Sequence, residues 1–326
     1  MTCRKLKVKQ PPIIGNEKNQ LLSIISLKDD YEYWYYQQFI HLFINKDQAD
    51  DEFVDFITLP NFDNSCPFIT INKETLQPDK LNGVVLMKKI KEAIDSESYL
   101  FLSVDEYYLP SCEGYNKCHD IREILLYGYD STEELFYVSG YNKERMFGHY
   151  DVHLADLVKT LMSIQGTTYM RSIQLTEKSN GTFDMKKFRD DLTEYMEGMR
   201  PCSAADYELR GRYFGINVYS FLSSYLEALT RKEKRFCIRS LQVMLEHKKT
   251  MYQRLIFLQE QFSLPQIEDI TEQWKQLTET FLILRNLLLK YEKTGETRLI
   301  NSMLSILHDI FRDEKHAIHS LLDRID

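Results

Sequence analysis

The stretch Lys117-Cys118-His119-Asp120-Ile121-Arg122-Glu123-Ile124-Leu125-Leu126-Tyr127-Gly128-Tyr129-Asp130, continued by Leu135-Phe136-Tyr137-Val138, decides how the front of the chain is read. Its β-branched, aliphatic and aromatic run predicts a strand over Ile124–Tyr129, stopped at Gly128-Tyr129-Asp130-Ser131, where Gly and Asp favour turning. Leu135–Ser139 predicts a second strand, and the short acidic turn between them makes an antiparallel hairpin. Working outward, Tyr99–Tyr108 is a β-rich run ending before Pro110, and Tyr169–Leu175 is another. Helices are expected at Val152–Ile164 and, after the Asn180-Gly181 turn, at Met185–Tyr195.

Upstream, residues 1–15 read as an extended arm. Apolar residues from Lys18 to Asn45 recur at helical spacing, with Asp29-Asp30 as an interruption, and Gly83 opens another helical stretch. Residues 50–80 are broken by Pro60, Cys66-Pro67 and Pro78. Helix first, then a small antiparallel sheet, is an α+β order.

Beyond Ala205 strand signals vanish and four helices fit, at 206–229, 232–262, 267–293 and 297–324. Trp274, Leu277, Phe281, Leu284, Leu288 and Tyr291 alternate three and four apart, and Leu299, Met303, Ile306 and Ile310 repeat the pattern. Such seams pack helices into a bundle. A domain over 1–200 and a helical bundle over 201–326 are therefore expected, with the boundary near Arg200-Pro201-Cys202-Ser203.

The 326 residues suffice for two domains. A net charge of −8 with no polybasic run argues against nucleic acid and anionic membrane as partners. No apolar run approaches the ~20 residues of a spanning helix. The basic segment Cys3–Lys9 has no apolar stretch after it and is not expected to be a signal peptide. Cys3, Cys66, Cys112, Cys118, Cys202 and Cys237 are too sparse for a disulfide framework and read as free thiols, which fits a cytoplasmic location. With no phosphate-cradling glycine loop or dinucleotide fingerprint, no cofactor is expected.

The Tyr127-Gly128-Tyr129-Asp130 hairpin and the aromatic block around Trp34 resemble papain-like bacterial cysteine enzymes: the bacteriocin-processing peptidases and the N-terminal domains of the butirosin biosynthesis protein H type. In element order the resemblance runs over residues 16–165. It implies a Cys at the start of the first helix, a His opening the strand that leads into the motif, and an Asp ending the partner strand. Chemically, a thiolate attacks a thioester or amide while the imidazole carries the proton and the Asp fixes its tautomer. Here those positions hold other residues: Arg122 for the His, Gly140 for the Asp (with no carboxylate before Glu144), and no cysteine in Asn16–Ser23. Guanidinium cannot act as a base, but it suits the gripping of an anion.

The altered triad admits two expectations. Either the domain is a catalytically silent binding partner in bacterial peptide or secondary-metabolite biosynthesis, with Arg122, Trp34, Tyr127 and Tyr129 lining its cleft. Or it is an active cysteine acyltransferase or amidase using Cys112 or Cys118 with His119, and Asn142 orienting the imidazole. A third expectation makes the helical bundle the functional half, mediating assembly. A carrier protein or another biosynthetic enzyme, or a small acyl or peptidyl ligand, would be the partner, with Arg210-Gly211-Arg212 and Arg231–Arg235 available to an acidic surface. Cys112, Cys118 and His119 lack a fourth zinc ligand and match no common finger spacing. Asp313, His316 and His319 on the last helix, and His247 with Glu246, Lys248 and Lys249, read as solvated faces, so no metal site is expected.

Overall fold

The hairpin forms as read and sits inside a larger sheet. The computed structural model describes residues 3–15, 17–46, 52–58, 62–76, 82–144, 146–165, 168–176, 181–204 and 213–325. Asn16, Pro60, Pro78, Asn180 and Arg210–Arg212, used in the sequence reading, lie outside the described residues. The elements run β1 (Cys3–Lys5), α1 (Asn19–Ile25), α2 (Tyr31–Tyr35), β2 (Leu42–Lys46), β3 (Glu52–Phe56), α3 (Phe62–Ser65), β4 (Ile69–Leu76) and α4 (Gly83–Asp95). Then come β5 (Tyr99–Asp105), β6 (Ile121–Asp130), β7 (Leu135–Tyr141), β8 (Phe147–His153), α5 (Leu154–Ser163), β9 (Thr168–Leu175) and α6 (Met185–Glu197). Four helices follow: α7 (Val218–Thr230), α8 (Arg239–Phe262), α9 (Glu268–Thr294) and α10 (Thr297–Arg324). The architecture is α+β, and no described helix is long and apolar enough to cross a membrane.

The chain divides into two units: Met1–Tyr31 with Asp63–Asn180, and Glu32–Phe62 with Gly181–Asp326. Unit 1 carries a seven-stranded antiparallel sheet in the order β4-β9-β5-β6-β7-β8, with β1 also pairing with β6. Leu100, Leu102 and Val104 of β5 with Ile124 and Leu126 of β6 face one buried cluster, which Leu86, Ile90 and Ile94 of α4 and Leu157 and Leu161 of α5 complete. Gly128 shows why the motif needs glycine. A Cβ there would lie 2.5 Å from the Arg4 carbonyl oxygen and 2.9 Å from the Tyr137 ring, so a side chain would push β1 off β6. Beside it, the β6–β7 register slips between Leu126 and Gly128.

Unit 2 is not the simple C-terminal bundle expected from a cut near residue 200. The β2–β3 hairpin packs on α8, where Ser240 Oγ accepts the Val54 N–H at 3.0 Å and Arg239 meets Asp55 at 3.1 Å. From α6, Tyr195 donates to Glu314 of α10 at 2.8 Å. Hydrogen bonds of this kind tie residues 32–62 and 185–200 to the helices. The helical reading of Lys18–Asn45 holds in its interruption, since Asp29-Asp30 lie between α1 and α2, but fails beyond it: α2 is a single short turn, and Phe39 at φ 56° reverses the chain into β2. The helix expected from Val152 starts at Leu154, because Val152 and His153 end β8. The one expected from residue 232 starts at Arg239, after Lys232 takes a left-handed φ of 58°.

The largest correction concerns His247 and Lys248. They are buried in unit 2, together with Glu246, rather than spread on a solvated face. The Lys248 ammonium donates to Glu314 at 2.5 Å and to His247 Nδ1 at 3.1 Å, while His247 Nε2 meets the Ile40 carbonyl at 2.9 Å. A carbonyl only accepts, so His247 carries its proton on Nε2 and is neutral. Tyr219 also donates to Glu314, and the rings of Tyr195, Tyr219, Trp274 and Phe281 surround the ammonium. The buried Arg254 guanidinium donates to the carbonyls of Tyr36 at 2.6 Å and Gln38 at 2.7 Å, capping the end of α2.

Candidate functional site

In unit 1 the start of α1, the start of β6 and the end of β7 come together. The amide of Gln20 joins them, donating to the Glu123 carbonyl at 3.0 Å and the Ser139 carbonyl at 3.2 Å. Gly140 makes room for Tyr150: a Cβ there would lie only 3.0 Å from the Tyr150 hydroxyl, but in ordinary contact, 3.5 Å, with the Gln20 amide nitrogen. The cleft over this junction has a volume of about 420 Å³, with Lys18, Gln20, Asp63, Glu123, Tyr141 and Arg171 among its lining. Among the described residues, neither cysteine nor histidine lines it.

The charges of the cleft are matched pairwise. Antiparallel register sets Arg171 of β9 against Phe101 of β5, and its guanidinium reaches Glu123 at 3.1 Å through Nε and Asp63 at 2.7 Å through Nη1. Burial opposes the Arg171 charge, but Glu123 and Asp63 more than offset that and hold it protonated. Lys18 meets the other oxygen of Asp63 at 3.1 Å. At the inner wall Tyr141 and Asn19 are bonded at 3.0 Å, and both donate to the Ile14 carbonyl.

Arg122 lines the cleft as expected, but it is not an open anion grip. Its guanidinium is engaged by Asp120 at 2.8 Å and by the buried Glu106 at 3.4 Å. Trp34 belongs to unit 2, where its ring packs on Phe62 at 5.0 Å, and it is not among the cleft's lining residues. Tyr129 is buried in the sheet core and donates to Asp95 at 2.8 Å. Tyr127 lies beside Tyr137 and His149 on neighbouring strands, with ring centroids 6.4 and 5.4 Å away. Neither tyrosine is among the cleft's lining residues.

The suggested cysteine–histidine chemistry meets a mixed geometry. His119 Nδ1 lies 2.7 Å from Asp105 Oδ2, and its ring stacks on Tyr107 with centroids 4.3 Å apart. The buried Asp105 also accepts from the Tyr107 N–H at 3.1 Å and Ser163 Oγ at 3.3 Å. Burial pushes this carboxyl up, but the bonds from His119, Tyr107 and Ser163 more than offset it and hold it below the usual carboxylate range. Asp105, not Asn142, is therefore what orients the imidazole. Asn142 Oδ1 instead accepts the Glu144 and Met146 N–H groups, each at 3.0 Å, and closes the turn between β7 and β8.

Cys112 is buried, its sulfur 3.7 Å from the Tyr150 hydroxyl and 4.0 Å from the Tyr141 carbonyl. Burial pushes its thiol up to about 11, opposite to what a nucleophile needs. Cys118 is exposed, with its N–H on the Gly114 carbonyl at 3.2 Å. Among the described residues, Cys112, Cys118 and His119 form no group with metal-ligand spacing, and neither do Asp313, His316 and His319. Arg231, in the basic cluster that follows α7, is flanked by Glu227 and Glu233.

Sequence reasoning missed Asp105, although one signal was present. Pairing the Tyr99–Tyr108 run with the motif strand in antiparallel register sets Asp105 opposite Ile121, two residues from His119. No protein-family model matches the chain, and comparison with curated proteins finds no match.

Proposed function

We propose that unit 1 is a papain-like domain whose cleft binds rather than catalyses, serving as an accessory or binding component in bacterial peptide or secondary-metabolite biosynthesis. One observation carries this reading. The Gln20 amide gathers the start of α1, the start of β6 and the end of β7 around a cleft whose described lining holds no cysteine or histidine. Those are the three places where a papain-like triad would stand, and here they hold an amide, a matched ion-pair network and a tyrosine. A lining of amides, paired charges and the Phe101 ring suits a polar peptidyl ligand, whose backbone offers donors and acceptors in equal number.

Capture of a random hexapeptide pool on the immobilised full-length chain, read by mass spectrometry, tests this. Enrichment of a subset, lost in Lys18→Glu, is the expected result. No enrichment, or equal enrichment in the variant, overturns it.

The Asp105–His119 pair favours a second reading, an acyltransferase or amidase using that imidazole with Cys118 or Cys112. The pH profile of iodoacetamide modification separates the two. The binding reading expects Cys112 to stay unreactive below about pH 9 and His119→Ala to leave the reaction of Cys118 unchanged. Reaction of either with an apparent pKa below about 7, abolished by His119→Ala, would establish the catalytic alternative.

A further inference from the structure

A cluster within unit 2 has the spacing of metal ligands. His41 lies just before β2, and Asp191 and Glu194 lie three apart on α6, so both carboxylates project from one helix face. One ligand atom from each residue lies within 4.8 Å of the others. His41 Nε2 is 3.3 Å from Asp191 Oδ1 and 3.8 Å from Glu194 Oε2. The first distance is long for a hydrogen bond, and the second is beyond one. Bonds of about 2.0–2.1 Å at tetrahedral angles, however, place neighbouring ligand atoms about 3.3–3.4 Å apart. The His41–Asp191 distance matches that spacing, and the other two pairs, at 3.8 Å and within 4.8 Å, are near enough to close on a bound ion.

Its surroundings hold it in that shape. The His41 side chain is nine-tenths buried, with Nδ1 lacking a partner and Nε2 aimed at the two carboxylates. The His41 carbonyl accepts the Ile57 N–H at 2.9 Å, fixing the residue to the end of β3. Gln37, four residues upstream, accepts the Asp184 N–H at 2.8 Å, and Asp184 in turn caps α6. The start of the helix and the segment bearing His41 are thereby pinned together. Asp191 offers Oδ1 to the cluster while Oδ2 is held by Lys187. Glu194 is oriented by the Cys202 N–H, 3.3 Å from each carboxylate oxygen. Lys187 and the Cys202 N–H thus steady the two carboxylates from behind, as metal sites require of their ligands, while His41 is held through its backbone and its burial.

We propose that His41, Asp191 and Glu194 bind one divalent transition-metal ion of the zinc type, with a fourth position open on the Glu194 side. One imidazole nitrogen and two carboxylate oxygens suit zinc better than calcium or magnesium, which favour all-oxygen shells. Glu194, the least buried of the three at 18% side-chain exposure, marks the way in.

The test uses the full chain, stripped with a chelator and titrated with Zn²⁺ against a chromophoric competitor, then with Co²⁺ by visible absorption. The expected result is one equivalent of Zn²⁺ bound, and a Co²⁺ spectrum of tetrahedral intensity. Glu194→Gln and Asp191→Asn, checked for folding by circular dichroism, should each weaken binding more than about tenfold. Glu194→Gln is the variant least apt to disturb the core. Absence of competition in the unaltered chain overturns the proposal. So does equal binding in Glu194→Gln, or binding lost only when the helix-borne His316 and His319 are both replaced by Ala.

Discussion

The cleft of unit 1 and the centre of unit 2 are built from the same residue types, lysine, arginine, carboxylates and tyrosine, under opposite solvation. In the cleft, Lys18 and Arg171 keep 21% and 23% of their side chains exposed, and Glu123 keeps 40%. In unit 2, Lys248 and Glu314 keep none. Half-solvated pairs are worth about 1 kcal/mol or less each, because water stands ready to replace either partner. A buried pair behaves differently. Removing one member strands the other, and every neighbour becomes obligatory. The cleft can therefore exchange its internal partners for a ligand, whereas the centre of unit 2 resists any change short of unfolding.

Breaking the buried pair is the harshest test of this contrast. Lys248→Met should destabilise unit 2 by about 3–5 kcal/mol, since Glu314 then keeps only its two tyrosine donors. Adding Glu314→Leu removes the stranded charge but leaves the buried Tyr195 and Tyr219 hydroxyls without their acceptor, so it should recover only part of that loss. Both tryptophans, Trp34 and Trp274, belong to unit 2, so fluorescence-detected urea unfolding reports on this unit. A loss below about 1 kcal/mol for the single change would mean that the centre is hydrated like the cleft.

Next in size is a pH effect. Burial, then the charges of Lys248 and Arg254, hold the His247 pKa well below its ordinary value. The unfolded chain thus takes up a proton near pH ~6.5 that the folded chain refuses, so stability falls as the pH falls through that value. Between about pH 6.5 and 5 unit 2 should lose up to about 2 kcal/mol, at about 1.4 kcal/mol per unit. His247→Gln should flatten the slope in that window. An unchanged slope would assign it to other groups.

Which parts are legible in the sequence depends on whether burial leaves a readable period. The motif hairpin is legible because the apolar run from Ile124 ends at Gly128-Tyr129-Asp130-Ser131, and the acidic turn fixes where the partner strand begins. The α9 and α10 seams are legible because each helix buries one stripe, although on α10 Leu307, not Ile306, is its buried member. On α8 the same inference fails. Glu246, His247, Lys248 and Lys249 read as a solvated face, yet of the four only Lys249 is exposed, and His247 and Lys248 find partners on other elements. The β2–β3 hairpin is hidden because Trp34, Phe39, Ile40 and Phe43 mimic helical spacing across a chain reversal. Of the candidate cleft, the resemblance alone points to the starts of α1 and β6 and the end of β7; no local pattern brings them together. Asp105 requires the strand register. The His41–Asp191 contact spans 150 positions, a distance no local pattern bridges.

The smallest expected effect returns to unit 1, where the Asp105–His119 pair combines both regimes. Asp105 is buried and His119 is 64% exposed, so the pair lies between the cleft and the centre of unit 2 in solvation. His119→Ala should cost unit 1 roughly 0.5–1 kcal/mol at neutral pH, the upper range for an exposed partner. Its pH dependence has the same sign as that of His247, stability falling with pH, but it arises from a group that is charged in the folded state rather than neutral. A depressed carboxyl stabilises the fold above its unfolded pKa and loses that contribution as the pH falls through its lowered folded value. The difference between the unaltered chain and His119→Ala should therefore persist down to about pH 4 and vanish below it. Hydrogen exchange at the Tyr107 amide, which donates to Asp105, follows the pair without relying on tryptophan. A difference of about 2 kcal/mol or more would place this pair with the buried centre. It would also mark His119 as held far more firmly than its exposure implies, as an imidazole positioned for proton transfer would be.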